Sequence, residues 1–107
     1  MADTSDRHRS ALDALTASVL DSPGRLARSV RVAAYEGTHL EEPLASFVAK
    51  VRRDSTRMTD ADLASLRAAG LTEDEILELT LAAALGAATT TLRSGLELLE
   101  RHAHHEA

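Results

Sequence analysis

The sequence predicts an all-α protein of a single domain, and three observations lead to that prediction. No stretch alternates apolar and polar residues with the period of a strand, whereas several stretches repeat apolar residues with a helical period. Glycine, proline, serine and threonine separate these stretches at positions typical of helix ends. A chain of 107 residues with only two aromatic side chains must build one modest core from Leu, Val, Ile and Ala, which favours closely packed helices.

The first half of the chain is expected to hold three helices. The first covers residues 6–20. Ser22 followed by Pro23 is typical of an N-cap and a proline at the first helical position, so the second helix is expected to begin there and to end before Gly37. A third helix is expected to open at Pro43, with Leu, Phe and Val on one face.

A short helix and a long one are expected in the second half. The polar stretch 52–58 predicts a break, after which Thr59 caps the short helix. Gly70 supplies the left-handed residue that ends it. Thr72 and Glu75, three residues apart, form a capping box that starts the last helix and stabilises it by about 1–2 kcal/mol.

The last helix is unusually long and unusually apolar. From Glu73 its pattern continues without a breaker to about Arg101, a length of ~45 Å, which exceeds the diameter of a compact domain of this size. One apolar stripe contains Leu77, Leu81, Leu85, Ala88, Leu92, Leu96 and Leu99, and a second contains Ile76, Leu79, Ala83, Ala87 and Thr90. Such a helix is buried on several sides. Other copies of the chain are expected to cover one of them, so a homo-oligomer is predicted.

Residues 82–91 of this helix carry little side-chain bulk. They predict either the close approach of another helix or the floor of a small pocket. Gly86 costs ~1 kcal/mol relative to Ala in mid-helix, so a neighbouring group is expected to need the space.

Composition excludes several classes of protein. The net charge is −5, with 12 cationic side chains scattered among 17 acidic ones, which argues against nucleic-acid binding. The absence of Cys excludes disulfides, thiolate catalysis and zinc–thiolate sites. Glu78 and Arg93 bracket the most apolar run, and no signal-like segment opens the chain, so we expect a cytoplasmic protein that meets neither membrane nor cofactor.

Residues 59–92 carry a resemblance to a known family. The segment 67–84, RAAGLTEDEILELTLAAA, is similar to the helical repeat of the AhpD-like superfamily, which includes alkylhydroperoxidase D and the carboxymuconolactone decarboxylases. The likeness extends more weakly over 44–99. It implies an AhpD-like all-α fold that assembles as a homo-oligomer, whether dimer, trimer or hexamer.

The peroxidase members of that family use a Cys-x-x-Cys motif followed by a His. Those positions fall on Ser55, Met58 and Asp62 of this chain. Serine forms neither a thiolate nor a reversible disulfide, so thiol peroxidase activity is excluded on chemical grounds. A family arginine in the last helix corresponds to a position two residues from Arg93, which faces elsewhere. The expected protein is therefore a binding or interaction module for an unknown ligand.

The alternative is an enzyme of the carboxymuconolactone decarboxylase type, with acid–base residues in a pocket between subunits. Its candidate catalytic residues are Tyr35, Glu36, His39 and Asp62. The segment 35–42 holds the only Tyr, a His and three carboxylates, but it also fits a solvated loop between helices. The family likeness assigns no catalytic, cofactor or metal residue.

Three further groups of polar residues admit two interpretations each. His102, His104 and His105 could bind a transition metal, but their spacing fits a solvated tail better, and no metal site is predicted. The arginines at 25, 28 and 31, and those at 52, 53 and 57, form either anion-binding stripes or solvated faces paired with acids. Residues 1–5 and 103–107 are expected to fray.

Overall fold

The structure is a computed structural model that describes residues 4–106, with side chains described over 6–103. Within that range it has five α-helices and no strand: α1 Thr4–Asp21, α2 Arg28–Glu36, α3 Leu44–Asp54, α4 Asp60–Ala68 and α5 Glu73–Glu106. A 3-10 turn, Ser55–Arg57, joins α3 to α4. The predicted all-α class and long last helix are confirmed. The predicted frayed ends include residues 1–3 and 107, which lie outside the described range.

Helix α5 sets the shape of the molecule. Its 34 residues form an unbroken helix about 51 Å long, and the molecule measures 56 × 29 × 20 Å. The radius of gyration is 16.3 Å, compared with about 13 Å for a compact domain of 100 residues. As the sequence predicts, this helix is longer than the domain that packs against it.

The core lies between α5 and the helices α1 to α4. It comprises Leu20, Leu26, Ala34, Phe47, Val48, Val51, Leu66, Ile76, Leu79, Ala82 and Ala83. Leu66 and Leu79 are fully buried, and the buried alanines of α2 and α5 allow those helices to approach closely. The covered side of α5 is therefore the second predicted stripe, whose first members Ile76, Leu79 and Ala83 are all buried.

Helix α2 begins at Arg28, not at Pro23 as the sequence predicts. The carboxylate of Glu78 on α5 accepts hydrogen bonds from the backbone N–H groups of Arg25 and Leu26, at 3.0 and 3.1 Å. The guanidinium of Arg31 donates to the carbonyl of Ser22 at 2.7 Å. The backbone groups that a helical first turn would use are thus held by Glu78 of α5 and by Arg31 of α2 itself, and these contacts override the local signal.

The predicted junction between α4 and α5 is confirmed. Gly70 adopts a φ of 96°, and the amides of Gly70 and Leu71 donate to carbonyls of the last turn of α4 at 2.9 and 3.2 Å, as in a Schellman motif. The amide of Thr72 donates to Glu75 at 2.9 Å, and the amide of Glu75 donates to the Thr72 hydroxyl at 3.2 Å. The capping box therefore forms as expected.

Candidate functional site

The crossing of α2 and α5 depends on two glycines and one arginine. A Cβ atom at Gly86 would overlap the carbonyl of Tyr35 and the guanidinium of Arg52, and one at Gly37 would also meet Arg52. Arg52 donates a hydrogen bond to the Tyr35 carbonyl, so its positive charge lies at the C-terminal end of α2, where it is favoured. The predicted need for space beside Gly86 is confirmed.

A groove of about 490 Å³ opens beside this crossing, and we call it the α3–α5 groove. Its lining consists of Gly37, Thr38, His39 and Leu40 from the loop after α2, Ala45, Val48, Ala49, Arg52 and Arg53 from α3, and Ala87, Thr90 and Thr91 from α5. The lining contains two arginines and a histidine but no carboxylate. Residues 82–91 therefore provide both the close helix contact and part of a pocket floor.

The four candidate catalytic residues do not converge. His39 lines the α3–α5 groove and has a φ of 49°. Glu36 is exposed at the end of α2, and the Tyr35 side chain packs partly against the core. Asp62 accepts two hydrogen bonds from Lys50 Nζ, at 2.9 and 3.0 Å, and one from the amide of Thr59 at 2.9 Å.

These contacts give Asp62 a structural role. The Lys50 hydrogen bonds, followed by the Thr59 amide, hold the pKa of Asp62 below its ordinary value. A carboxylate with a lowered pKa is a weaker base. Asp62 also completes the capping box that starts α4.

None of the other positions that the family likeness singles out lines the groove. Ser55 is exposed in the 3-10 turn, and Met58 packs against the core. Arg93 forms an ion pair with Asp13 of α1 at 3.0 Å. The groove thus uses different residues from those of the peroxidase motif.

Sequence reasoning placed Arg53 only within a group of cations. The structure separates that group, because Arg52 lies at the end of α2, Arg57 pairs with Asp54 at 3.2 Å, and Arg53 lines the groove. A usable signal is the helical spacing of Arg53 with Ala45 and Ala49, since small residues one and two turns before an arginine leave room beside it.

The arginines of the other predicted group do not form an anion-binding stripe. Arg25 pairs with Asp74 at 3.3 Å and Arg28 with Asp21 at 2.7 Å. Arg31 is buried against backbone carbonyls. The interpretation as a face paired with acids is therefore the better one.

The side of α5 that faces away from α2 and α3 is exposed and apolar. Seven exposed positions follow a spacing of four and three residues, namely Leu77, Leu81, Ala84, Ala88, Thr91, Gly95 and Leu98, and we call them the outer face. None of the seven carries a charge. Leu77, Leu81 and Leu98 are 57%, 50% and 49% exposed, although side chains of this type are normally covered.

The first predicted stripe is therefore split by the structure. Leu77, Leu81 and Ala88 belong to the outer face, whereas Leu85 and Leu96 are only partly exposed. Leu92 and Leu96 line an apolar groove of about 360 Å³ with His8, Ala11, Leu12 and Leu15 of α1. Leu15 and Leu92 are each 50% exposed, so this second groove widens the apolar surface beside the outer face.

The structure also bears on a metal site and on a membrane-spanning helix. Among the described side chains, no three His, Cys, Asp or Glu residues lie in a metal-binding arrangement. The side chains of His104 and His105 lie outside that described range. By length and composition alone, the stretch Glu73–Ala103 could cross a membrane, and 33% of its apolar window is buried. That property alone is weak support for a membrane location.

Comparisons with known proteins add no relative. No protein-family model matches the chain, and no curated protein or solved structure is significantly similar to it.

Proposed function

We propose that this protein is a cysteine-less, AhpD-like interaction module that self-associates through the outer face of α5 and lacks thiol peroxidase activity. The observation that carries this proposal is the uncharged, exposed surface that runs from Leu77 to Leu98 on an unbroken helix. An apolar surface this long is typical of a protein–protein contact.

The spacing of the outer face favours another helix as the occupant. A repeat of four and three residues is the pattern by which two helices pack side by side at a small crossing angle. Leucines lie at both ends of the face, and the small residues Ala84 and Ala88 lie in its middle. This order suits two rods that cross at their centres, since the gap between them widens toward the ends.

Charge favours an antiparallel pair of identical helices. The first turn of α5 contains Glu73, Asp74 and Glu75, and the far end contains Arg101 and His102. A parallel pair would bring six acids together at two helix ends and leave the two copies of Arg101 together at the other. An antiparallel two-fold pair brings each acidic end beside the Arg101 of the other copy.

A lipid bilayer is a less suitable occupant. The opposite side of α5 holds charged groups in specific contacts, such as Glu78 with the loop before α2 and Glu100 with Arg9 at 2.7 Å. A spanning helix with that side in hydrocarbon would expose those charges. Helices that lie on membranes carry Lys and Arg beside the apolar face, whereas this chain has a net charge of −5.

The energy of covering the face is substantial. Its three leucines, Leu77, Leu81 and Leu98, are 57%, 50% and 49% exposed. Covering the exposed part of each contributes about 1 kcal/mol per side chain. Both copies contribute, so the total is comparable to the cost of bringing two molecules together.

Light scattering tests the proposal. We expect the wild-type protein at micromolar concentration to have at least twice the chain mass of 11.4 kDa. Leu81→Glu should give a folded monomer, because it places a charge within the uncharged contact. The control Ser65→Glu adds the same charge at an exposed position of α4 and should leave the mass unchanged. A monomeric wild type, or a wild type that associates only with anionic vesicles, contradicts self-association.

Cysteine cross-linking tests the orientation, since the chain has no Cys of its own. Leu77→Cys and Leu98→Cys lie about 32 Å apart along one helix. An antiparallel pair that crosses at the centre of the outer face joins a Leu77→Cys chain to a Leu98→Cys chain in a mixed disulfide, which requires Cα atoms within about 7 Å. A parallel pair instead gives a disulfide between two copies of the same variant.

The alternative acid–base enzyme has less support. Of its four candidate residues, only His39 lines the α3–α5 groove, while Asp62 is engaged by Lys50 and Thr59. For either alternative, peroxide consumption with a thiol reductant should equal that of buffer, because the chain offers no thiol.

A further inference from the structure

The α3–α5 groove differs in charge from the rest of the molecule. The chain has a net charge of −5, yet the groove is lined by Arg52, Arg53 and His39 and by no Asp or Glu. A cationic concavity in an acidic protein attracts anions while the remaining surface repels them. The charge of the groove therefore favours anionic ligands.

Arg53 is a cationic donor that remains available for such a ligand. No hydrogen bond or ion pair of its side chain occurs among the described residues, whereas the neighbouring Arg52 donates to the Tyr35 carbonyl. The hydroxyls of Thr90 and Thr91 already donate to backbone carbonyls of α5, at 3.0 and 3.2 Å. An anion in the groove would therefore meet the guanidinium of Arg53, which suits the two oxygens of a carboxylate.

Part of the lining of the groove is apolar, and we call it the apolar wall. Leu40, Ala45, Val48 and Ala87 contribute only hydrocarbon side chains there. A volume of about 490 Å³ lies within the range of small-molecule sites, which combine an apolar lining with a few polar groups. A bare inorganic anion would leave this wall in contact with water.

We propose that the α3–α5 groove binds small organic carboxylates, with the carboxylate on Arg53 and His39 and an apolar body against Leu40 and Val48. All of the lining residues belong to one chain, so the site does not depend on the proposed self-association. Thr91 belongs to both the groove and the outer face, which places a second copy at the groove's edge.

Amide chemical-shift titration of the full chain tests this proposal with three probes, benzoate, benzamide and inorganic phosphate. We expect saturable shifts with benzoate for amides of α3 and the loop 37–40, and binding of benzamide and phosphate at least tenfold weaker. Equal binding of benzamide would contradict a carboxylate site. Equal binding of phosphate would contradict a role for the apolar wall.

Variants locate the site. Arg53→Gln should weaken benzoate binding at least fivefold, and Ala49→Glu, which places a carboxylate in the groove from an exposed helical position, should abolish it. The control Arg67→Gln removes an exposed arginine of α4 outside the groove and should have no effect. Binding that survives both groove variants overturns the proposal. We expect benzoate to bind monomeric Leu81→Glu as well as it binds the wild type, because the groove lies within one chain. The carboxylate site is therefore tested independently of self-association.

Discussion

The two long sides of α5 have similar apolar character but opposite surroundings. The inner side packs Leu79, Ala82 and Ala83 against its own chain until none is exposed. The outer face leaves Leu77 and Leu81 half or more exposed. The hydrophobic pattern of a helix therefore indicates how much of its surface is apolar. Which part of that surface is buried within the same chain depends on where the other helices pack.

A leucine pair provides the strongest way to break this comparison. Leu79→Ala should lower the free energy of unfolding by about 2–5 kcal/mol, because it leaves a cavity at a fully buried position. Leu77→Ala, two residues away, should cost less than about 1 kcal/mol. Urea denaturation in the monomeric Leu81→Glu background measures both without a contribution from association. Equal losses would show that the two sides are equally covered within one chain.

Gly86 gives the next largest effect on the inner side. Gly86→Ala should destabilise the protein by about 1–3 kcal/mol, although alanine is the better helix former, because the added Cβ overlaps the Tyr35 carbonyl and Arg52. The matched control is Ser94→Ala, at an exposed position of the same helix, which should be neutral or slightly stabilising. Thermal unfolding measures both. A stabilised Gly86→Ala variant would show that α2 does not approach α5 so closely.

The smallest expected effect is a pH dependence of the free energy of unfolding that comes from one ion pair. The Lys50–Asp62 pair links α3 to α4, and the pKa of Asp62 is lowered in the folded protein. Its contribution to stability is therefore present above the ordinary carboxyl pKa of about 3.9 and is lost as pH falls through the lowered value.

Asp62→Asn measures that contribution. The stability difference between wild type and this variant should be greatest at about pH 6 and should shrink toward about pH 2. Asp60→Asn, an exposed acid in the same first turn of α4, is the control and should show a smaller change. A difference that is independent of pH would contradict the role assigned to the ion pair.

Local signals in the sequence predict the second half of the fold well. Gly70 predicts where α4 ends, and Thr72 and Glu75 predict where α5 begins, because caps and glycine stops act within a few residues. The start of α2 is predicted wrongly at Pro23, since Glu78, more than fifty residues away, holds the amides of that loop. No local signal contains such a contact.

The candidate site was less accessible to sequence reasoning. His39 was among the candidate residues and lines the α3–α5 groove, but Arg53 could not be told from its neighbours by charge alone. Their roles differ because α3 turns Arg52 toward the end of α2 and leaves Arg53 at the groove. Which arginine forms a structural hydrogen bond depends on how three helices pack. The spacing of residues along the sequence does not determine that packing.

The contact of Gly37, Arg52 and Gly86 also restricts how this chain can evolve. A side chain at either glycine meets the same guanidinium, so these positions are not free to drift one at a time. We expect descendants of this sequence to retain Gly86, because shortening residue 52 leaves the Tyr35 carbonyl in place, and to replace Gly37 only together with Arg52. Retention of Gly86 and co-variation of positions 37 and 52 across diverged copies would then be a signature of the fold that survives after most of the remaining sequence has changed.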